Sequence, residues 1–147
     1  MENLRKYGSE PFSLSVIHGG PGAPGDVAPV ARELSSVKGI LEPLQTAATL
    51  EGQIQELKNV LEKNGAIPLT LIGHSWGAML SFIFTGRYPS LVKKLILVGG
   101  GPFEEKYDAH IVGTILSRLS EEERVEALSL IETLNYPGID YKNPLMG

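Results

Sequence analysis

Apolar residues gather in four short runs, at 12–17, 39–41, 69–72 and 94–98, and stretches with apolar positions at helical spacing lie between them. Repetition of this kind predicts strands alternating with helices, hence a parallel sheet with helices on its faces. The expected fold class is therefore α/β, a three-layer sandwich with a short, mostly parallel sheet of about four strands. The first helix is predicted over 27–36. The second places Leu50, Ile54, Leu57 and Leu61 on one face, with Thr49 as its cap and Asn64-Gly65 at its end. The third starts at Trp76, points Met79, Phe82 and Ile83 at the sheet, and stops at Tyr88-Pro89.

Beyond Gly99-Gly100-Gly101-Pro102 the strand runs cease and two helical stretches take over. One carries Ile111, Val112, Ile115, Leu116 and Leu119 on a stripe. The other opens with a capping box, Ser120 to Glu123, and carries Ala127, Leu130, Ile131 and Leu134. The chain is thus divided into a core over 1–103 and a helical segment with an irregular, turn-rich tail over 104–147.

Composition narrows the class of function. At 147 residues, 42% hydrophobic and 20% charged, the chain is of ordinary globular make-up, and its 17 glycines and 10 prolines predict many tight turns. A net charge of -4 gives no general electrostatic reason for a nucleic-acid or anionic-membrane partner. The absence of cysteine excludes disulfides and thiolate-ligated zinc and fits a cytoplasmic location. Residues 1–6 lead into no long apolar segment, so neither a signal peptide nor a membrane anchor is expected there.

Two motifs carry chemistry. Gly73-His74-Ser75-Trp76-Gly77 sits between a strand-like run and a helix-like run, the setting of a nucleophile elbow, in which a sharp turn holds the serine hydroxyl exposed. His18-Gly19-Gly20-Pro21-Gly22 follows the first strand, where glycines let backbone N–H groups approach a developing oxyanion. Ser75 is the candidate nucleophile. The N–H of Gly20, with Gly19 as the alternative, and the N–H of Trp76 are the candidate oxyanion donors. Each motif alone is modest evidence, and together, each at a strand's C-terminal end, they point to a serine hydrolase scaffold. A rival reading takes Gly20 to Gly25 as G-x-G-x-x-G, with Glu42 near the end of the next strand, as a dinucleotide fingerprint. Pro21 and Pro24 weigh against it, because each removes an N–H from the loop that would cradle the phosphates.

The pair H-G-G-P-G and G-H-S-W-G-A resembles the α/β-hydrolase superfamily, and within it the proline iminopeptidase group of serine peptidases. The likeness covers about residues 12–103, and the helices after it resemble the start of that family's cap. It implies Ser75 as nucleophile, Gly20 and Trp76 as the oxyanion hole, and His18 as a support of the oxyanion loop, with Gly19 beside it. It implies Glu104 and Glu105 as ligands of a substrate amino group, a small ester, amide or short peptide as substrate, and no cofactor or metal. It further implies a core of four parallel strands in spatial order second, first, third, fourth, beginning at the family's third strand. The family's acid and histidine, which follow the serine, have no matching positions here. His74 is expected to point away from the reacting face, and His110, beside Asp108, to face solvent. Asp140 follows the serine, but no histidine follows Asp140. The chain is therefore expected to be inactive alone. Either a second polypeptide supplies acid and base, or the domain is a catalytically silent module that binds a ligand or partner. The outer strand, left as an open edge, predicts a homo-oligomer.

Overall fold

The structure, a computed structural model, describes residues 3–20 and 23–134. It divides into two compact units, Met1–Gly101 and Pro102–Gly147. The expected turn-rich tail from Asn135 onward, Asp140 within it, and the Pro21-Gly22 pair lie outside the described residues.

The first unit is built on strands β1 (Leu4–Tyr7), β2 (Phe12–Ile17), β3 (Gly39–Pro43), β4 (Leu69–His74) and β5 (Val92–Val98), in the order β1-β3-β2-β4-β5. β3, β2, β4 and β5 are parallel, and they are the strands and the neighbour order expected from the sequence. Helices α1 (Ala28–Leu34), α2 (Leu50–Asn64) and α3 (Trp76–Arg87) connect them. Alternation along the strands sends side chains to two cores. Ile17, Leu41, Leu69 and Leu71 join Ile54, Leu57 and Leu61 of α2 and Leu80 and Phe84 of α3 in one. Leu14, Val16 and Ile40 join Val27 and Ala31 in the other. A sheet with a core on each face is the three-layer sandwich.

In α2 the Thr49 hydroxyl accepts from the Gly52 N–H at 3.1 Å, the expected cap. Leu50 is more exposed than its place on the predicted stripe suggests, and Val60 is buried in its stead. The face of α3 departs further from expectation. Ile83 packs against the core as expected, but Phe82 is 52% exposed, and the buried positions are Gly77, Ala78, Leu80, Ser81 and Phe84. The helix is apolar at nearly every position, so its sequence offers competing stripes. The choice between them is made at Gly77, where an added Cβ would fall within 2.5 Å of the His18 carbonyl oxygen. Gly77 is turned to the end of β2, where only a residue without Cβ fits, and residues 80, 81 and 84 lie inward on the same rotation.

The fifth strand is the larger correction. β1 pairs antiparallel with β3, setting Arg5 opposite Glu42 and Tyr7 opposite Ile40. Four residues, two of them charged, give no strand signal of their own. Glu42 explains their place. It is fully buried, and its Oε2 accepts from the Tyr7 hydroxyl at 2.5 Å and lies 3.6 Å from Arg5 Nη1. A buried carboxylate demands such partners. The cost to Tyr7 is visible as a pKa pushed upward, first by burial and then by the hydrogen bond to Glu42 and the nearby negative charge.

The second unit contains α4 (Asp108–Ser117) and α5 (Glu121–Leu134) after a 3-10 turn at Glu105–Tyr107. The capping box forms at the start of α5: Glu123 Oε2 accepts from both the N–H and the hydroxyl of Ser120 at 2.8 Å, and the Ser120 hydroxyl accepts from the Glu123 N–H at 3.3 Å. These bonds, backbone first, hold the Glu123 carboxyl below its ordinary pKa. Arg124 donates to the Leu116 and Leu119 carbonyls and so closes the end of α4. No helix among the described residues is long and apolar enough to cross a membrane.

Candidate active site

Ser75 stands between β4 and α3 with φ 52° and ψ −117°, and is the non-glycine residue at positive φ among those described. Side chains avoid this region because Cβ crowds the backbone. Its neighbours hold it there. The Ser75 N–H donates to the Val98 carbonyl of β5 at 2.9 Å, and its own carbonyl accepts from Ala78 N–H at 3.0 Å. The flanking glycines are sterically required: a Cβ on Gly73 would meet the Gly77 carbonyl carbon at 2.6 Å, and Gly77 abuts the end of β2. Among the described residues no side chain or backbone group is hydrogen-bonded to the Ser75 hydroxyl.

Trp76, the first residue of α3, has a backbone N–H without an intrahelical acceptor, as do all residues of a first helical turn. Its indole N–H donates to Gln53 Oε1 at 2.8 Å, and Gln53 Nε2 donates to the Ala47 carbonyl at 3.0 Å. The start of α3 is thereby pinned to α2 through a buried amide.

The loop after β2 is held by His18, which is fully buried. Its Nε2 accepts from the Gln45 N–H at 3.0 Å, which leaves its proton on Nδ1 to donate to the Gly19 carbonyl at 2.8 Å. Gln45 Nε2 returns a bond to the His18 carbonyl at 3.1 Å. Both ring nitrogens are thus occupied. Gly19 donates its N–H to Asp26 Oδ2 at 3.0 Å, so the alternative oxyanion donor already has an acceptor. Gly20 follows at φ 33°, and no acceptor among the described residues takes its N–H.

His74 is not packed into a core. It is exposed, and its Nδ1 lies 3.0 Å from Asp26 Oδ2. His110 is exposed on α4, with Nδ1 3.2 Å from the Lys106 carbonyl. Glu104 pairs with Lys106 Nζ at 2.5 Å, and Glu105 opens the 3-10 turn. These residues belong to the second unit. Glu42, asked by the dinucleotide reading to reach a ligand, is turned inward to Tyr7 and Arg5. The first unit therefore brings together Ser75, Trp76, His18, Gly19 and Gly20. Asp26, Gln45 and Gln53 join them unforeseen, because contacts between distant loops leave no periodicity to read. Among the described residues no group of three His, Asp or Glu is placed to hold a metal.

A family described as the alpha/beta hydrolase fold matches residues 42–124, more than half of the chain. The chain belongs to the α/β-hydrolase family. It is 33% identical over 101 residues to a proline iminopeptidase of Lactobacillus delbrueckii subsp. lactis, covering 57% of this chain and 34% of that protein. It is 30% identical over 69 residues to epoxide hydrolase 3 of Mus musculus, covering 46% of this chain and 19% of that one. A crystal structure of a Bacillus megaterium epoxide hydrolase with an inhibitor superposes with a TM-score of 0.57 at 24% identity, covering 66% of this chain and 38% of that one. This last likeness speaks to the fold. The chain spans about a third or less of the curated relatives it matches. Those two relatives carry different activity names, so the α/β-hydrolase scaffold alone does not specify a reaction.

Proposed function

We propose that this α/β-hydrolase chain carries the nucleophile and the oxyanion-binding groups of a serine hydrolase that acts on a small ester, amide or short peptide by acyl transfer. The observation that carries the reading is Ser75, held at φ 52° with its hydroxyl engaged by no described residue, between a helix N-terminus and a glycine loop. Strain of this kind persists where the surroundings over-determine it, as they do at nucleophile elbows. In the reaction Ser75 Oγ adds to the acyl carbon as its proton passes to a base. The N–H groups of Gly20 and Trp76 receive the oxyanion, and the leaving group departs as the carbonyl re-forms. Water then repeats the addition, releasing the acid and restoring Ser75.

His18 has both ring nitrogens engaged, and His74, held through Nδ1 by Asp26, is not hydrogen-bonded to the Ser75 hydroxyl. We therefore assign acid and base to residues other than those described, in this polypeptide or a second one. The open edge of β5, with Leu97 and Val98 exposed, offers a place for further chain to pair. The proline iminopeptidase likeness favours a peptide with N-terminal proline as substrate.

The test is chemical rescue. The purified chain and Ser75→Ala are incubated with p-nitrophenyl acetate, with and without free imidazole, and acetylation of Ser75 is read by mass spectrometry. The expectation is Ser75 acetylation that requires imidazole. Ser75-dependent turnover without imidazole would place a base within the chain. No acetylation in either condition would favour the second reading, a silent module that associates through the β5 edge.

A further inference from the structure

Asp26 is assigned no part in the chemistry above, yet one of its oxygens makes two bonds across the site. Asp26 Oδ2 accepts from the Gly19 N–H at 3.0 Å and faces His74 Nδ1 at 3.0 Å. An ionised carboxylate only accepts, so His74 carries a proton on Nδ1 and donates it. The oxygen thus joins the loop after β2 to the residue immediately before the nucleophile. A second observation converges on the same point. A Cβ added to Gly19 would lie 2.8 Å from Asp26 Oδ2, 3.3 Å from His74 Nδ1 and 3.3 Å from Ser75 Cβ. The volume a side chain would occupy is taken by the carboxylate, the imidazole and the nucleophile together, so Gly19 is bare because the bridge closes over it.

The geometry points to Asp26 as a positioning residue that latches the oxyanion loop to the elbow and leaves the Gly20 N–H, rather than that of Gly19, to meet the oxyanion. Two donors compete for that role in the sequence, and the latch removes one. Gly19 cannot serve an oxyanion while its N–H is held by Asp26. That bond fixes the His18-Gly19 peptide. The Gly19-Gly20 peptide, which carries the next N–H, is held from its other side through the Gly19 carbonyl by His18 Nδ1, so the two grips together set the aim of the Gly20 N–H. Charge-assisted bonds are the strong ones, and a part-exposed carboxylate shared by two donors is suited to hold a loop without burying a charge. Donors aimed in advance of the reaction are what an oxyanion site needs. The inference rests on the serine hydrolase reading for its catalytic consequence, while the latch itself does not.

The test separates the two. Amide hydrogen exchange at Gly19, read by NMR on the full chain, reports the latch directly, and imidazole-dependent acetylation of Ser75 reports its consequence. In Asp26→Ala, exchange at Gly19 is expected to rise roughly tenfold, the worth of about one net hydrogen bond, and acetylation to fall by a similar factor. Asp26→Asn keeps an oxygen acceptor without the charge and is expected to restore most of both. Exchange at core amides of β2 and β4 should stay as in the parent, which distinguishes a local latch from general destabilisation. A Gly19 amide that exchanges freely in the parent, or equally slowly in Asp26→Ala, would overturn the latch whatever Ser75 does. A protected Gly19 amide that Asp26→Ala exposes, with no acetylation in any variant, would uphold the latch and overturn the serine reading.

Discussion

Replacing Ser75 by glycine should stabilise the protein while removing the proposed nucleophile. At φ 52°, ψ −117° a residue with Cβ stores strain, on the order of 1–3 kcal/mol for a sparsely populated backbone region. Glycine adopts positive φ without that penalty but loses more conformational entropy on folding, which returns roughly 0.5–1 kcal/mol. The hydroxyl contributes little to the ledger, since no described residue is hydrogen-bonded to it. The net expectation is a gain of roughly 0–2.5 kcal/mol, about 1.3 at the middle of both ranges. Ser75→Ala is the control, because it removes the hydroxyl and keeps Cβ, and so keeps the strain. Urea unfolding of the three proteins should give the glycine variant the highest midpoint at an unchanged slope. In a thermal scan the difference amounts to roughly 2–4 °C for each kcal/mol in a chain near this size. A glycine variant no more stable than Ser75→Ala would refute the strain argument, and with it the main physical support for Ser75 as a held nucleophile.

Tyr7→Phe should cost roughly 2–3 kcal/mol, because it removes the hydroxyl that bonds the buried Glu42 carboxylate and leaves Arg5 at 3.6 Å as its near partner. Pairing it with Glu42→Leu should recover most of the loss, since replacing both partners by apolar groups is nearly neutral, and urea midpoints of the single and double variants decide this. Glu56 makes a different, pH-dependent contribution. Burial pushes its carboxyl up, but bonds from the Thr46 hydroxyl and the Ala47 and Thr46 N–H groups outweigh burial and hold the pKa below the ordinary 4.5. A carboxyl lowered in the folded state stabilises fully above its unfolded pKa and loses that contribution as pH falls through the folded one. Stability measured from about pH 5 downward should therefore fall less steeply in Glu56→Gln than in the parent, and equal slopes would contradict the assignment.

The parts of this fold that could be read from the sequence are those whose cause is local. The four parallel strands are apolar runs. The cap of α2 at Thr49 and the capping box of α5 are signals confined to a few residues. What escaped depends on partners distant in the chain. β1 has no apolar run and owes its position to a carboxylate thirty-five residues from Tyr7, at Glu42. The rotation of α3 is not legible, because Met79, Phe82 and Ile83 form as apolar a stripe as Leu80 and Phe84; Ile83 packs against the core as expected, and Phe82 does not. The deciding contact is that of Gly77 with the end of β2. One sign lies in the sequence: Glu42 amid an apolar strand run is costly without a partner, although nothing local says that Tyr7 and Arg5 supply it.

The same distinction applies within the site. A nucleophile elbow is legible because its demands fall within five consecutive residues: two glycines where backbone meets backbone, and a serine at the turn. An oxyanion loop is legible in part, as glycines after a strand, but the peptide that faces the reaction depends on what grips the others. Asp26 and His74 are separated by forty-eight residues, and Gln45 meets His18 across twenty-seven. In the sequence, Gly20 is the first candidate and Gly19 the alternative, with no contact to decide between them. In the fold Gly19 is held through its N–H by Asp26 and through its carbonyl by His18 Nδ1, which fixes the peptide groups on both its sides. His18 and Asp26 therefore grip one residue from opposite directions, and the freedom left to the loop begins at Gly20. Loss of either grip should release the loop, so the effects of Asp26→Ala and of weakening the His18–Gln45 bond should fall short of additive.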